Sequence, residues 1–189
     1  YFRDVTEQKR RDEFQQVIID ISTELIDADA RGIDDSIKEI LRRIGQFERA
    51  KRSYVFQFGE AGAVMDNTHE WVGDGVEPQQ PELQGIATED FSWFMPQIRR
   101  REVVTVPDVA DLPAEADRLR AALEAGNVES MVAVPLFRSD TLFGFIGFDW
   151  TRRKDPWSED TVDLLRISGN IIASALARGR RLSDPPDPD

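Results

Sequence analysis

Few side chains in this 189-residue chain could do chemistry. His69 is the only histidine and there is no cysteine. A metal centre of several histidines or thiolates, a cysteine nucleophile, a disulfide and a thioether-linked chromophore are therefore excluded by chemistry. One histidine could still ligate a haem iron axially or hydrogen-bond a small ligand. The plainer role for His69 is a structural hydrogen bond beside Trp71, and the lack of a titratable partner favours it. The 36 Asp and Glu residues outnumber 24 Lys and Arg, so most carboxylates must form a solvated face. Asp66 and Glu70, at alternate positions of one strand-like run, read as surface groups. Gly144 and Gly147 lie inside a strand rather than before a helix, so no phosphate cradle is present, and there is no Gly-x-Ser-x-Gly elbow. No catalytic residue and no metal ligand is assigned, and the chain does not read as an enzyme. The remaining chemistry is apolar: Phe91, Trp93, Phe94 and Met95 either line a pocket for a flat ligand or fill it, and filling is favoured.

The elements that must position these residues follow from periodicity. From Thr6 to about Asp29, Phe14, Ile18, Ile21 and Leu25 recur at helical spacing. A second helix follows Gly32, with Ile33, Ile37, Ile40, Leu41, Ile44 and Phe47 on one face. SYVFQFG at 53–59 and VMDNTHEWV at 64–72 predict a hairpin, with Met65, Asn67, His69 and Trp71 sharing a face of its second strand. DFSWFMPQIRRRE predicts a short helix or lid broken near Pro96. A short strand VVTV at 103–106 comes next, then a helix over AEADRLRAALEAG that ends on Gly126 as a C-cap. MVAVPLF at 131–137 and LFGFIGFDW at 142–150 are apolar on both faces and predict central strands. Pro135 implies an edge or bulge, and Gly144 and Gly147 would let a helix pack closely. Ser158 suits the N-cap of a last helix running to about Arg181. That helix carries two apolar lines, Val162-Leu165-Gly169-Ile172-Leu176 and Leu164-Ile167-Ile171-Ala175, one for the sheet and the other for a second helix or a second subunit.

This order of elements resembles a GAF domain, the sensory module of many bacterial signalling proteins, over about residues 11–181. The most specific pieces are NTHEW at 67–71, VPDVADLPAEA at 106–116, SMVAVPLF at 130–137, LFGFIGFD at 142–149 and WSEDTVDLLRISGNIIASALAR at 157–178. The resemblance implies an α+β fold in three α/β/α layers. Its central twisted antiparallel sheet would have about five to six strands, with the first and last helices on one face and a ligand pocket on the other. Pocket candidates on that basis are Phe56, His69, Trp71, Phe91, Trp93, Phe94 and Met95. The Asn-Lys-Phe-Asp-Glu constellation of cyclic-nucleotide-binding members is absent, and a reductase role known on this fold would need redox cysteines. No cofactor is expected, and haem through His69 is disfavoured.

The opening RDVTEQKR is similar to the segment that closes PAS domains. Residues 1–10 are thus expected to be the end of a PAS domain leading into a linker helix, and 182–189, ending DPPDPD, a disordered tail. The expected parent is a multidomain histidine kinase or diguanylate cyclase in which this non-catalytic module relays a small-molecule or PAS signal through its terminal helices. The alternative is a ligand-free dimerisation and relay unit with a filled pocket. Phe14, Ile18, Ile21, Leu25, Val162, Leu165, Ile172 and Leu176 are the candidate signalling and homodimer residues, since one face of the last helix is left over. A net charge of −12 argues against nucleic acid and anionic membrane as partners. A cytoplasmic location is expected.

Overall fold

The computed structural model describes residues 2–27, 32–138, 140–153 and 159–183. In chain order the elements are α1 (Phe2–Asp27), α2 (Ile33–Glu48), β1 (Arg52–Gly59), β2 (Val64–Val72), β3 (Ile86–Ala87), α3 (Met95–Arg99), β4 (Val104–Val106), α4 (Asp117–Ala125), β5 (Ser130–Arg138), β6 (Thr141–Trp150) and α5 (Glu159–Ser183). The strands form one antiparallel sheet in the order β3-β2-β1-β6-β5-β4. The fold is the expected α+β arrangement, with an apolar layer on each side of the sheet.

Strand alternation splits the core in two. Val55, Val132, Val134, Leu136, Ile146, Phe148 and Trp150 point to the helix side, where they bury Ile37, Ile40, Leu41 and Ile44 of α2, Ile21 of α1, and Leu164, Leu165, Ile172 and Ala175 of α5. Tyr54, Phe56, Met131, Ala133 and Phe145 point to the other side. There they meet Phe91, Phe94, Met95, Ile98 and, from α4, Leu119 and Leu123. This is why β5 and β6 are apolar on both faces.

Several expectations are corrected. The first helix begins at Phe2 rather than Thr6. Pro96 sits in the first turn of α3, where its missing N–H costs nothing, so it starts that helix instead of breaking it. Pro135 does sit at an edge-like, bulged stretch as its type implies, since β4 pairs with β5 only from Met131 to Ala133 and the register with β6 shifts between Leu136 and Phe137. Gly144 and Gly147 make room for strands, not helices: a Cβ at Gly144 would lie 2.0 Å from the Phe56 carbonyl oxygen, and one at Gly147 would meet the Tyr54 ring at 2.7 Å. The close helix approaches use glycines on the helices themselves, Gly45 against Trp71 and Gly169 against Leu136.

A second helix layer against α5 is supplied within the chain. Gly169 meets Leu136 and Ile146 of the sheet, while Leu164 and Ala175 of the second line are also fully buried, with α1 and α2 packed on α5. Ile167 and Ile171 of that line are only partly buried, so its covering is incomplete. Phe14, Val17 and Ile18 of α1 pack partly buried on the same core, as do Val162 and Leu176 of α5. The side chain of Leu25, the Ser158 cap and the DPPDPD run lie outside the described residues.

Candidate functional site

On the side of the sheet away from α1 and α5, β1, β2, β6, α4 and the segment before α3 enclose a cavity of about 90 Å³. Its walls are mostly apolar. Phe56 and Phe145 stack with ring centres 4.8 Å apart and Phe94 meets Phe145 edge-on at 5.1 Å, while Met65, Phe91, Leu119 and Leu123 complete the surface. Of the pocket candidates, Phe56, Phe91 and Phe94 border this space. Met95 is buried in the same core without bordering the cavity, and Trp93 packs partly buried beside it.

His69 and Trp71 are on the opposite face. Thr68 is an extra residue in β2: Val55 pairs with His69 and Phe56 with Asn67, so the bulge shifts the alternation by one. Met65, Asn67 and Glu70 consequently face the cavity, whereas His69 and Trp71 face the helices. His69 Nε2 is 3.1 Å from Asp34 Oδ1 of α2 and Nδ1 is 2.9 Å from Thr68 Oγ1. With both ring nitrogens engaged, the side chain is not placed to ligate a haem. Burial lowers its pKa below the usual histidine value, against the opposing pull of Asp34.

One end of the cavity is polar, and sequence reasoning missed it. Arg52, Tyr54, Asn67, Glu70 and Asp149 meet there. Arg52 is 4% exposed; its Nη1 donates to the Gly126 carbonyl at 2.8 Å and its Nη2 to the Glu77 carbonyl at 3.0 Å. It thereby ties the loops after β2 and α4 to the sheet. Gly126 is needed for this approach rather than for a left-handed cap: its φ is −88° and a Cβ would meet Arg52 Nη1 at 3.0 Å, while the left-handed residue is Asn127.

Glu70 is buried, not superficial. Its Oε2 accepts the backbone N–H groups of Gln79 and Gln80 at 2.8 and 3.0 Å, and its Oε1 lies 3.5 Å from Asn67 Nδ2 and 3.9 Å from Arg52 Nε. Tyr54 donates its hydroxyl to Asp149 Oδ1 at 2.9 Å. Burial pushes the Asp149 carboxyl up to about 7, although the Tyr54 hydrogen bond and the Arg52 charge work against the rise. Burial likewise raises the Tyr54 hydroxyl, with the Asp149 charge adding to it. Two buried polar atoms of cavity-lining residues, Arg52 Nε and Asn67 Oδ1, have no hydrogen-bond partner. A signal for part of this was in the sequence: Asp149 interrupts a strand apolar on both faces, so its carboxyl had to be buried beside a partner.

Trp150 and Glu48 lie between this polar end and the helices. Trp150, next to Asp149, directs Nε1 at the Glu48 carbonyl at 3.3 Å. The Glu48 carboxylate, 1% exposed, accepts from Arg10 of α1 at 3.0 Å and from Thr161 of α5 at 3.0 Å. Among the described residues no group of three or more His, Cys, Asp or Glu could hold a metal ion. No helix of the described residues is long and apolar enough to cross a membrane.

A sheet with terminal helices on one side and a walled cavity on the other defines a three-layer α/β/α domain. The GAF domain family model matches residues 32–176, and the chain belongs to that family. It is 33% identical over 156 residues to the methanogenesis regulatory histidine kinase FilI of Methanothrix harundinacea, a match covering 80% of this chain and 17% of that protein. The chain thus spans under a fifth of this relative's length. Among solved structures, the phycoerythrobilin-bound GAF domain of a cyanobacterial phytochrome superposes with a TM-score of 0.73 at 16% identity, covering 90% of this chain and 98% of that one. The chromophore-binding domain of the R. palustris bacteriophytochrome RpBphP3 gives 0.72 at 11% identity, covering 92% and 63%. At these identities the structural likeness concerns the fold.

Proposed function

We propose that the chain is the non-catalytic sensory module of a multidomain signalling protein of the histidine-kinase type, in which the cavity's occupancy sets how α1 and α5 pack. The observation that carries this reading is the contact series from Asp149 at the cavity through neighbouring Trp150 to Glu48, whose carboxylate holds α1 by Arg10 and α5 by Thr161. One buried group thus joins both terminal helices beside the strand that carries the cavity's acid. A signal requires only that an occupant bind two arrangements of these helices unequally. A PAS domain before α1 and an output domain after α5 fit that geometry. A homodimer, if formed, would use α1, where Ile19 is 57% exposed, the one large apolar side chain so exposed among the described residues.

A bilin is not part of this reading. Without cysteine no thioether can form, and about 90 Å³ is far below the roughly 300 Å³ at which ordinary ligand pockets begin. That small volume also supports the second reading, a relay unit whose pocket is filled by its own aromatics. A thermal-shift screen of the chain against metabolites, followed by hydrogen exchange with any hit, separates the two. A saturable shift that changes exchange in α1 and α5 supports sensing. Silence across the library, or a hit that leaves both helices unchanged, favours the relay.

A further inference from the structure

We propose that the cavity takes a small uncharged amphiphile whose polar end carries a hydrogen-bond acceptor and donor side by side, as a carboxamide does. This deepens the sensing reading above and rests on it.

The polar end asks for both functions at once. Arg52 Nε is a buried donor without a hydrogen-bond acceptor and Asn67 Oδ1 a buried acceptor without a donor, in residues 4% and 1% exposed. Leaving either atom dry is costly, and a bound group that satisfies both removes the penalty. Both residues meet at one Glu70 oxygen, with Arg52 Nε 3.9 Å and Asn67 Nδ2 3.5 Å from it. The Asn67 amide is oriented by that contact, because turning it over would set its oxygen against the Glu70 carboxylate. Its Oδ1 is therefore fixed as an acceptor. An amide carbonyl on Arg52 Nε with its N–H on Asn67 Oδ1 meets both demands within one planar group.

Charge selects against the ions of similar shape. The Arg52 and Glu70 charges offset one another, and the part-ionised Asp149 carboxyl leaves the polar end with no positive charge to hold an anion. A carboxylate would suit Arg52 but would set its second oxygen beside Asn67 Oδ1 and the Glu70 carboxylate, both acceptors. An ammonium would suit those acceptors but leave Arg52 Nε unpaired beside a like charge. The rest of the ligand must be apolar, to lie against Phe56, Phe94 and Phe145. Size limits it as well, since an engineered cavity of about 150 Å³ takes benzene and this one is about 90 Å³.

The test titrates the chain near pH 7 with propionamide, propionate, propylammonium and xenon, following backbone amide resonances of Arg52, Asn67, Glu70 and Asp149. The expected result is saturable binding of propionamide at least about fivefold tighter than either ion. Asn67→Leu should weaken propionamide about tenfold, the worth of one hydrogen bond, and leave xenon binding in place. Should N67L fail to fold, the rank order on the unaltered chain decides by itself. Either ion binding as tightly as the amide overturns the ligand class while leaving the cavity as a binding site. No response to any probe, xenon included, overturns the ligand class and the sensing reading together.

Discussion

Asp149 gives the chain a stability that falls as pH rises, and Asp149→Asn should remove that fall. In the folded protein the carboxyl titrates at about 7 instead of its ordinary 3.8, because burial disfavours its charge more than Tyr54 and Arg52 favour it. Between those values the native state keeps a proton that the unfolded chain has released, so rising pH draws the equilibrium towards unfolding. At 1.36 kcal/mol for each pH unit the full effect is on the order of 4 kcal/mol, present at neutral pH and absent below about pH 4. Roughly half, about 2 kcal/mol, falls between about pH 5.5 and pH 8.5, where unfolding can be followed by urea and Trp fluorescence. The asparagine still accepts the Tyr54 hydroxyl and does not titrate. The stability of D149N minus that of the wild type should therefore grow by about 2 kcal/mol across that range. Subtracting the wild type cancels the other groups, including the salt-bridged Glu39 and Glu102. A difference that stays level with pH would refute a buried, uncompensated acid at this position.

Other consequences can be measured independently. The His69 imidazole should titrate below 6.5 by NMR, since burial outweighs its contact with the exposed Asp34; stability carried by the neutral ring is then complete above 6.5 and lost as pH falls below it. A midpoint above 6.5 would show that Asp34 dominates. Gly144→Ala should cost about 3 kcal/mol in urea unfolding, because its methyl would sit 2.0 Å from the Phe56 carbonyl oxygen and neither backbone can yield; a neutral result would mean β1 and β6 are not in this register. Glu48→Gln keeps an acceptor for Thr161 but loses the charge facing Arg10. Because Arg10 is 44% exposed the cost should be only about 1 kcal/mol, with faster hydrogen exchange around Arg10 as its signature; unchanged exchange there would show that Glu48 does not hold α1.

The sequence alone determined the elements and the layering. The two-sided apolar strands at 131–137 and 142–150 could only be central, and the stripes of α2 and α5 could only be buried, because hydrophobic periods of 2 and 3.6 are local properties of the chain. Phe56, Phe91 and Phe94 were legible as apolar residues for one side of the sheet. Only the tertiary structure decided which side His69 and Trp71 take, since the extra residue Thr68 is defined by a partner strand and leaves no mark in the alternation of β2 itself. The same holds for the polar end of the cavity. Arg52, Asn67 and Glu70 come from the β1–β2 hairpin and Asp149 from the distant β6, and whether each is a surface group or a buried partner depends on neighbours supplied by antiparallel register. Two apolar stripes on α5 likewise leave open whether a second helix or a second subunit meets the stripe away from the sheet, and the structure sets α1 and α2 of the same chain against that helix.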